Sequence, residues 1–517
     1  MFNLKQYFMQ KKNLFASAIL MLCTLFVFTG CNEIMSNMSN PVNAYLQLKQ
    51  ASVKIYRGQS FKMSDYYSTI SDAKPIFTSA DESIATVDEN GVVTGANRGT
   101  TKITIEVPAN EYYNGATIEL EVEVDALLVL PLDAKELALN EEYNLGVTSV
   151  SSGAITYVSS NTDVATVDAD GNVTAKGYGD ATITVSIAAT PEYDRTESVD
   201  FAATVRIQDI TQFNAALAAI EDGGEGILLL GKDATFAYTA NVDFANKKLT
   251  ILGEKENPAI FNYNGSLKIK RGLTIKNAIF NFTGSGNVNF IAVQDLGDAP
   301  KIGSSAYYPY EPIIFENLTF NNHNACLIKG KGKIAFSDIQ VNNCKIGMKE
   351  NCNAGIFNFD SGYPEDLKLN NSIFWSKGAG HKGYLFTSSG KPADVSSEAI
   401  TSFAVDNCIL YKIAVEKKAN NGNYIKGKTY LHVSLTNTMC IDFGTGGSVT
   451  GNEINGWLFG QNSTNPTRVY DKNGYFTSAG AVVTGWTDIN KTGSDQTGTS
   501  VTTMPTYKDP ENGDFSM

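Results

Sequence analysis

Ile275-Lys-Asn277-Ala-Ile279-Phe280 is the first of six copies of one short pattern between Leu273 and Asp442: apolar, any residue, Asn or Asp, any residue, then two mostly apolar positions. The others are Phe315-Glu-Asn317-Leu-Thr319-Phe320, Phe336-Ser-Asp338-Ile-Gln340-Val341, Leu369-Asn-Asn371-Ser-Ile373-Phe374, Val405-Asp-Asn407-Cys-Ile409-Leu410 and Leu435-Thr-Asn437-Thr-Met439-Cys440. Their Asn/Asp positions are 40, 21, 33, 36 and 30 residues apart, so the shortest step is about one coil of a solenoid and longer steps leave room for side loops. A short apolar strand, a polar residue that tolerates a left-handed backbone and a second short strand is what a coil needs where it turns a corner. The spacing predicts an all-β fold with a right-handed parallel β-helix over 208–517. Asn277, Asn317, Asn371, Asn407 and Asn437 are then structural, each corner amide stacking on the next, because buried amides are tolerated only when hydrogen-bonded.

The chain is too long for one ordinary domain, at 517 residues. Its formal charge is −13; without the first 30 residues it is −16, from 38 basic against 54 acidic groups. That balance excludes a nucleic-acid partner, since phosphate binding needs the opposite sign.

Residues 1–30 join a basic start (Lys5, Lys11, Lys12) to an apolar run from Leu14 to Phe28, the length of a signal-peptide core and short for a membrane span. The following Phe28-Thr29-Gly30-Cys31 resembles the bacterial lipoprotein lipobox, although Phe stands where Leu is usual. The resemblance implies cleavage before Cys31, lipid attachment to its thiol, and a membrane partner through that lipid. Residues 31–44 are a polar tether. Only Glu33 follows the Cys where surface-exported lipoproteins of Bacteroidetes often carry an acidic run. An outer-membrane lipoprotein at the cell surface is expected, with the periplasmic face left open.

The next 160 residues repeat at a constant offset of 80. Ser79 to Thr94, with Ala-Thr-Val87 and Asp-Glu-Asn-Gly91, lines up with Ser159 to Thr174, with Ala-Thr-Val167 and Asp-Ala-Asp-Gly171. A strand, an Asp-x-Asn/Asp-Gly turn and a returning Val-Thr strand is hairpin chemistry. These segments resemble bacterial Ig-like domains of group 2, which implies two β-sandwiches over 45–125 and 126–207, spacers without catalytic groups. The acid-rich turns have too few ligands for calcium, so no metal or cofactor is indicated, calcium included.

After Ile207 the period changes. Thr211 to Ile220 sets Phe213, Leu217 and Ile220 on one helix face, with Thr211 or Asp209 as N-cap and Gly223 as stop. An amphipathic helix laid across the open end of a solenoid is the expected cap. This helix, with Gly226-Ile-Leu-Leu-Leu230 after it, resembles the entry to pectate-lyase-like β-helix domains. The Lys-Leu-Thr-Ile-x-Gly253 segment and the closing Pro505 to Phe515 resemble β-helix lipoproteins of gut Bacteroidetes.

Catalytic motifs are sparse. The pectate-lyase resemblance implies calcium held by acidic residues and an Arg or Lys base, but the only arginines after Gln208 are Arg271 and Arg468, and no Asp-x-Asp pair is present. Gly380-His381-Lys382-Gly383 lacks the partners a polygalacturonase-like site needs, and His323 and His432 stand alone. Cys326, Cys344, Cys352, Cys408 and Cys440 form no CxxC pair; a disulfide among the first three stays open.

Sugar binding requires less: an exposed aromatic plane with polar neighbours. The loops of 351–366 and 375–382 offer Asp360, Tyr363, Trp375, Lys377 and His381, and Tyr308 and Trp457 are further candidates. The expectation is an envelope lipoprotein, without a recognised catalytic site, that binds polysaccharide as an accessory to glycan capture, with glycan transporters as possible neighbours. A lyase or hydrolase with an unrecognised site, and an adhesive or structural surface protein, are the alternatives. Sequence names neither the glycan nor the oligomeric state.

Overall fold

The computed structural model describes residues 41–193, 195–297, 301, 308–388, 400–416, 420–422, 430–443, 467–482 and 501–517. The expected signal peptide, Cys31, most of the expected tether and Trp457 lie outside them. The protein is all-β with two Ig-like domains.

The 80-residue sequence offset is reproduced strand for strand. Ser52–Tyr56, Ala116–Asp125, Gly99–Val107 and Ile76–Ser79 form one sheet of the first sandwich; Ala134–Leu137, Glu197–Val205, Gly179–Ile187 and Ile155–Ser159 form its counterpart in the second. Alternation in Gly99–Val107 sends Thr101, Ile103, Ile105 and Val107 inward. The Asp-x-Asn/Asp-Gly turns close on themselves: Asp88 Oδ1 accepts from the Asn90 and Val92 N–H groups at 2.9 and 2.8 Å, and Asp168 repeats this with Asp170 and Asn172. These carboxylates are spent on the turn.

Both junctions between domains are built from charge and backbone. At the first, Glu197 is buried, accepts the N–H of Leu127 at 3.0 Å, and pairs with Arg195 at 2.8 Å and with Arg57 of the first sandwich at 3.9 Å. Arg195 also lies 3.9 Å over the Tyr56 ring. At the second, the strand Glu197–Val205 runs straight on to Ile207, whose N–H donates to Leu229 O at 2.8 Å and whose carbonyl accepts from Gly231. Glu136 ties the same corner, accepting from Gln208 Nε2 at 2.6 Å and from the Lys232 N–H.

From Ile207 onward the chain stacks rungs. Helix Ile210–Ala219 comes first, capped by Asp209, whose side chain accepts from the Gln212 N–H at 2.8 Å; it buries Phe213 and Leu217 against the first rungs. Among the described residues, the strands that follow pair in parallel with their equivalents one rung later, in sheets of 16, seven and three strands. A rung such as 363–388 passes in turn through the three-stranded sheet (Tyr363–Pro364), the long sheet (Asp366–Asn370, corner, Ile373–Ser376) and the seven-stranded sheet (Phe386–Ser388).

Inside, like sits on like. Phe236, Phe261, Phe280 and Phe320 stack at centroid separations of 4.6, 4.8 and 5.0 Å, with Phe290 edge-on to Phe280 at 4.6 Å. Each such pair adds about 0.5–1.5 kcal/mol beyond the area it buries.

The corners are left-handed, with φ of +57° at Asn277, +54° at Asn317, +49° at Asn371, +50° at Asn407 and +51° at Asn437. Asn317 Nδ2 donates to Asn277 Oδ1 at 2.9 Å and Asn407 Nδ2 to Asn371 Oδ1 at 2.7 Å, whereas Asn437 turns to Asp406. The third copy of the pattern is corrected: its corner is Asn343, at φ +56°, not Asp338. Ile334–Phe336 belongs to the three-stranded sheet, so Asp338 precedes the long-sheet strand Ile339–Asn342 instead of following one.

The residue after each corner points inward, and from Cys344 on this column is polar: Cys344, Ser372, Cys408, Thr438 and Asn473 are all buried. Ser372 Oγ accepts from the Cys344 N–H at 3.0 Å and Thr438 Oγ1 from the Cys408 N–H at 3.3 Å. Cys326, Cys344, Cys352, Cys408 and Cys440 are buried free thiols, and burial pushes Cys344 and Cys408 up to about 12.

Candidate functional site

The loop residues read from the sequence do not form one exposed patch. Tyr363 is 1% exposed and His381 is fully buried, so neither offers a surface to a sugar. Nε2–H of His381 donates to Ala354 O at 2.8 Å, Nδ1 faces the Ala414 N–H at 3.4 Å, and burial lowers the ring to about 4. Asp360, at φ +52°, stands beside the three-stranded sheet, where its Oδ2 accepts from the Gly332 N–H at 3.3 Å. Trp375 lies beyond the strand Asp366–Asn370 and the corner Asn371, on another side of the same rung. Asp360 borders the three-stranded sheet while Trp375 lies in the long sheet, and that separation defeats the expected cluster. Tyr308 is half-buried in the three-stranded sheet, with Lys301 Nζ 5.4 Å from its ring.

Trp375 instead helps seat the C-terminal segment. With Ile373, Ile409 and Met439 it packs against Tyr411, Ile441, Phe476 and Phe515, and its indole lies directly against Gly513 (φ +81°). Glu511 fastens this hook, accepting from Tyr411 Oη at 2.6 Å, from the Gly378 N–H at 2.9 Å and from Lys412 Nζ. Burial works against its charge, but those three donors hold the carboxyl below the usual range. Lys377 is exposed beside this contact.

The residues that do converge are on the outer face of the long sheet, before the corners. Register sets Asp366 beside Ser402; Gln340 beside Lys368 and Ala404; and Asn342 beside Asn370, Asp406 and Thr436, with Asp338 just before the first of these strands. Period-2 alternation turns Leu367 and Leu369 into the core and leaves Asp366, Lys368 and Asn370 facing out. Gln340 Nε2 donates to Asp338 Oδ2 at 2.6 Å, Asn342 Nδ2 to Gln340 Oε1 at 3.2 Å, and Asn370 Nδ2 to Asn342 Oδ1 at 2.9 Å. Lys368 pairs with Asp366 and lies 3.6 Å from Asp338. The Asp366 hydrogen bond holds Lys368 above its ordinary value despite partial burial, while burial lifts the neighbouring Glu365 carboxyl. Asp338 Oδ1 and Asp366 Oδ1 are buried acceptors without a hydrogen-bond partner among the described residues.

This strip holds amides, carboxylates and one ammonium group at a rung spacing of about 4.8 Å. Sequence reading passed over it because alternating polar residues are the ordinary wet face of a strand. The available signal was the recurrence of Asp338-x-Gln340-x-Asn342 as Asp366-x-Lys368-x-Asn370. Among the described residues no group of three or more His, Cys, Asp or Glu is placed to hold a metal ion. None of their helices is long and apolar enough to cross a membrane.

Residues 45–111 match the bacterial Ig-like domain (group 2) family, and residues 147–190 match the immunoglobulin-like domain of intimin. No curated protein matches the chain. Among solved structures, domains 4 and 5 of the S-layer protein SbsC align over 31% of this chain and 96% of that one, at 15% identity and a TM-score of 0.13. A longer SbsC structure, domains 4–9, aligns over 28% of this chain but 24% of its own length, at 18% identity and a TM-score of 0.13. Mouse cadherin-23 EC22-24 aligns over 32% of this chain and 64% of its own, at 13% identity and a TM-score of 0.15.

Proposed function

We propose that this chain is a cell-envelope lipoprotein, anchored through Cys31, whose two Ig-like domains hold out a right-handed parallel β-helix that binds polysaccharide. The β-helix reading is supported by consecutive parallel pairing through three sheets and by left-handed Asn corners between the two halves of each long-sheet rung. The binding reading is carried by one observation: the continuous polar strip from Asp338 to Thr436 on the outer face of the long sheet. Amide and carboxylate pairs recognise sugar hydroxyls as donors and acceptors together, and a strip with one repeat per rung suits a linear polymer better than a single small molecule. The Ig-like domains then serve as a stalk.

The test is retention in affinity gels and on a glycan array. Lys368→Ala combined with Asn370→Ala is expected to abolish the retardation of whichever glycan the wild type retains, and Lys377→Ala to leave it intact. Undiminished retention in the double variant refutes the strip as the binding face.

A second reading, cleavage of the bound polymer, is favoured by Asp338 and Asp366, two carboxylates from successive rungs that both lie within ion-pair distance of Lys368. Adjacent-rung spacing of about 4.8 Å is close to the separation of about 5–5.5 Å between the carboxyl groups of retaining glycosidases. Release of reducing ends or unsaturated uronates from the retained glycan, lost in Asp366→Asn, distinguishes this from binding alone.

A further inference from the structure

We propose that the pole of the first sandwich farthest from the second is a membrane-docking surface, seated on the lipid to which the chain is anchored; this rests on the anchoring part of the function above. The register of the long hairpin fixes the pole. Gly99 pairs with Val124 at the end where Asp125 meets Arg98 and Arg57 approaches Leu128; Val107 pairs with Ala116 at the other, about 30 Å away over nine residues. The loop 108–115 is therefore at the far pole. The first described strand, Val42–Asn43, pairs there with Tyr113–Asn114, and the Ile70 N–H donates to Ala44 O at 3.3 Å.

These contacts gather four large apolar side chains that point into solvent: Val42 at 58% exposure, Tyr45 at 59%, Ile70 at 43% and Tyr112 at 57%. Two are tyrosines, the residue type enriched where hydrocarbon meets headgroups. The charged groups around them are Asp72, which accepts from Asn110 at 2.7 Å, Lys74 and Glu111. That mixture gives no single-sign patch for a charged partner.

Chain length selects the occupant. Only nine residues, Asn32 to Asn40, separate Cys31 from Pro41. Fully extended, the ten steps from Cys31 to Pro41 span at most about 35 Å, so the acylated Cys keeps this pole next to the bilayer. Burying four apolar side chains there converts a loose tether into a two-point attachment, which stabilises membrane anchoring and sets the rod upright.

The test uses the full acylated chain in vesicles of phosphatidylethanolamine and phosphatidylglycerol. A nitroxide is placed at Tyr45→Cys and, as a control in the second sandwich, at Asp170→Cys. The five described cysteines are buried, which leaves the introduced thiol as the one to label. The Tyr45 label is expected to collide several-fold more with oxygen than with a water-soluble nickel chelate, and the Asp170 label to show the reverse. Serine at Val42, Ile70 and Tyr112 should return the Tyr45 label to the Asp170 pattern. Equal, water-like accessibility at both labels overturns the proposal, as does spin–spin broadening that disappears on dilution in lipid, which marks a second copy as the occupant. The mass of the N-terminal peptide reads the anchor separately: an acylated Cys31 with a water-exposed Tyr45 label refutes docking alone, whereas an unacylated chain that leaves the vesicles refutes the anchor and docking together.

Discussion

Acid should loosen the stacked rungs well before it affects the carboxylates, through two histidines that the interior holds neutral. His323 is fully buried, with Nδ1 2.6 Å from the Tyr263 hydroxyl; His381 is fully buried between Ala354 and Ala414. Burial lowers each from 6.5 to about 4. Above pH 6.5 both folded and unfolded states are neutral and the histidines add no pH dependence. Below it the unfolded chain takes up a proton at each ring that the folded chain refuses, so stability falls until the pH reaches the folded value. Between pH 6.5 and 5.0 the loss is about 1.6 kcal/mol per histidine, about 3 kcal/mol for both. Carboxylates held low, such as Glu311 and Glu511, lose their contribution as pH falls through their folded values, below the 4.5 of the free group, and so stay out of this window, while Glu365, lifted by burial, takes up its proton more readily when folded and opposes the histidine slope. The chain provides its own reporter: all three tryptophans, Trp375, Trp457 and Trp486, follow the sandwiches, so their fluorescence follows this unit alone. Denaturant midpoints read by that fluorescence should fall steadily from pH 6.5 to 5.0, and His381→Gln should roughly halve the slope whatever its effect at pH 7. A flat midpoint, or a slope that survives His323→Gln/His381→Gln, refutes the reasoning.

Three further outcomes follow from packing. Phe280→Ala removes the centre of the ring stack and should destabilise the rungs by about 4 kcal/mol; amide exchange should accelerate in 259–321 and stay unchanged in the sandwiches, as expected for a quasi-one-dimensional stack. Asn317→Ala sacrifices an amide bond and forces a left-handed alanine, about 2 kcal/mol together, while Asn317→Gly should recover the strain share, both measurable as shifts in the tryptophan-detected midpoint. Glu197→Gln weakens charge-assisted bonds at the first junction by about 2–3 kcal/mol; small-angle scattering should then broaden the distance distribution between the sandwiches while each stays folded.

Corners and sandwiches were readable from the sequence because each rests on a local backbone demand. A left-handed φ selects Asn, so Asn277, Asn317, Asn371, Asn407 and Asn437 announce themselves. The same rule failed at Asp338, where the apolar run Ile334 to Phe336 imitates a long-sheet strand although it belongs to the short one; the true corner, Asn343, is followed by Cys344 and Lys345, which hide the apolar motif. Placing Tyr363 and Trp375 demanded more. Which side of a coil a loop leaves depends on how many residues each side consumes, and that count is fixed only by pairing between rungs far apart in sequence. The strip from Asp338 to Thr436 was hidden for a related reason, since one polar strand face is uninformative until four of them are stacked.

The strand Glu197–Val205 that runs on to Ile207 has a mechanical consequence. Its bonds to Gly179–Ile187 and Ala134–Leu137 on one side of the junction, and those of Ile207 to Leu229 and Gly231 on the other, run across the chain direction. A tug on a tethered polymer would load them in shear, all at once, instead of peeling them one by one. Under the proposed function that force would pass along a single strand, and the joint should yield later than a flexible linker would.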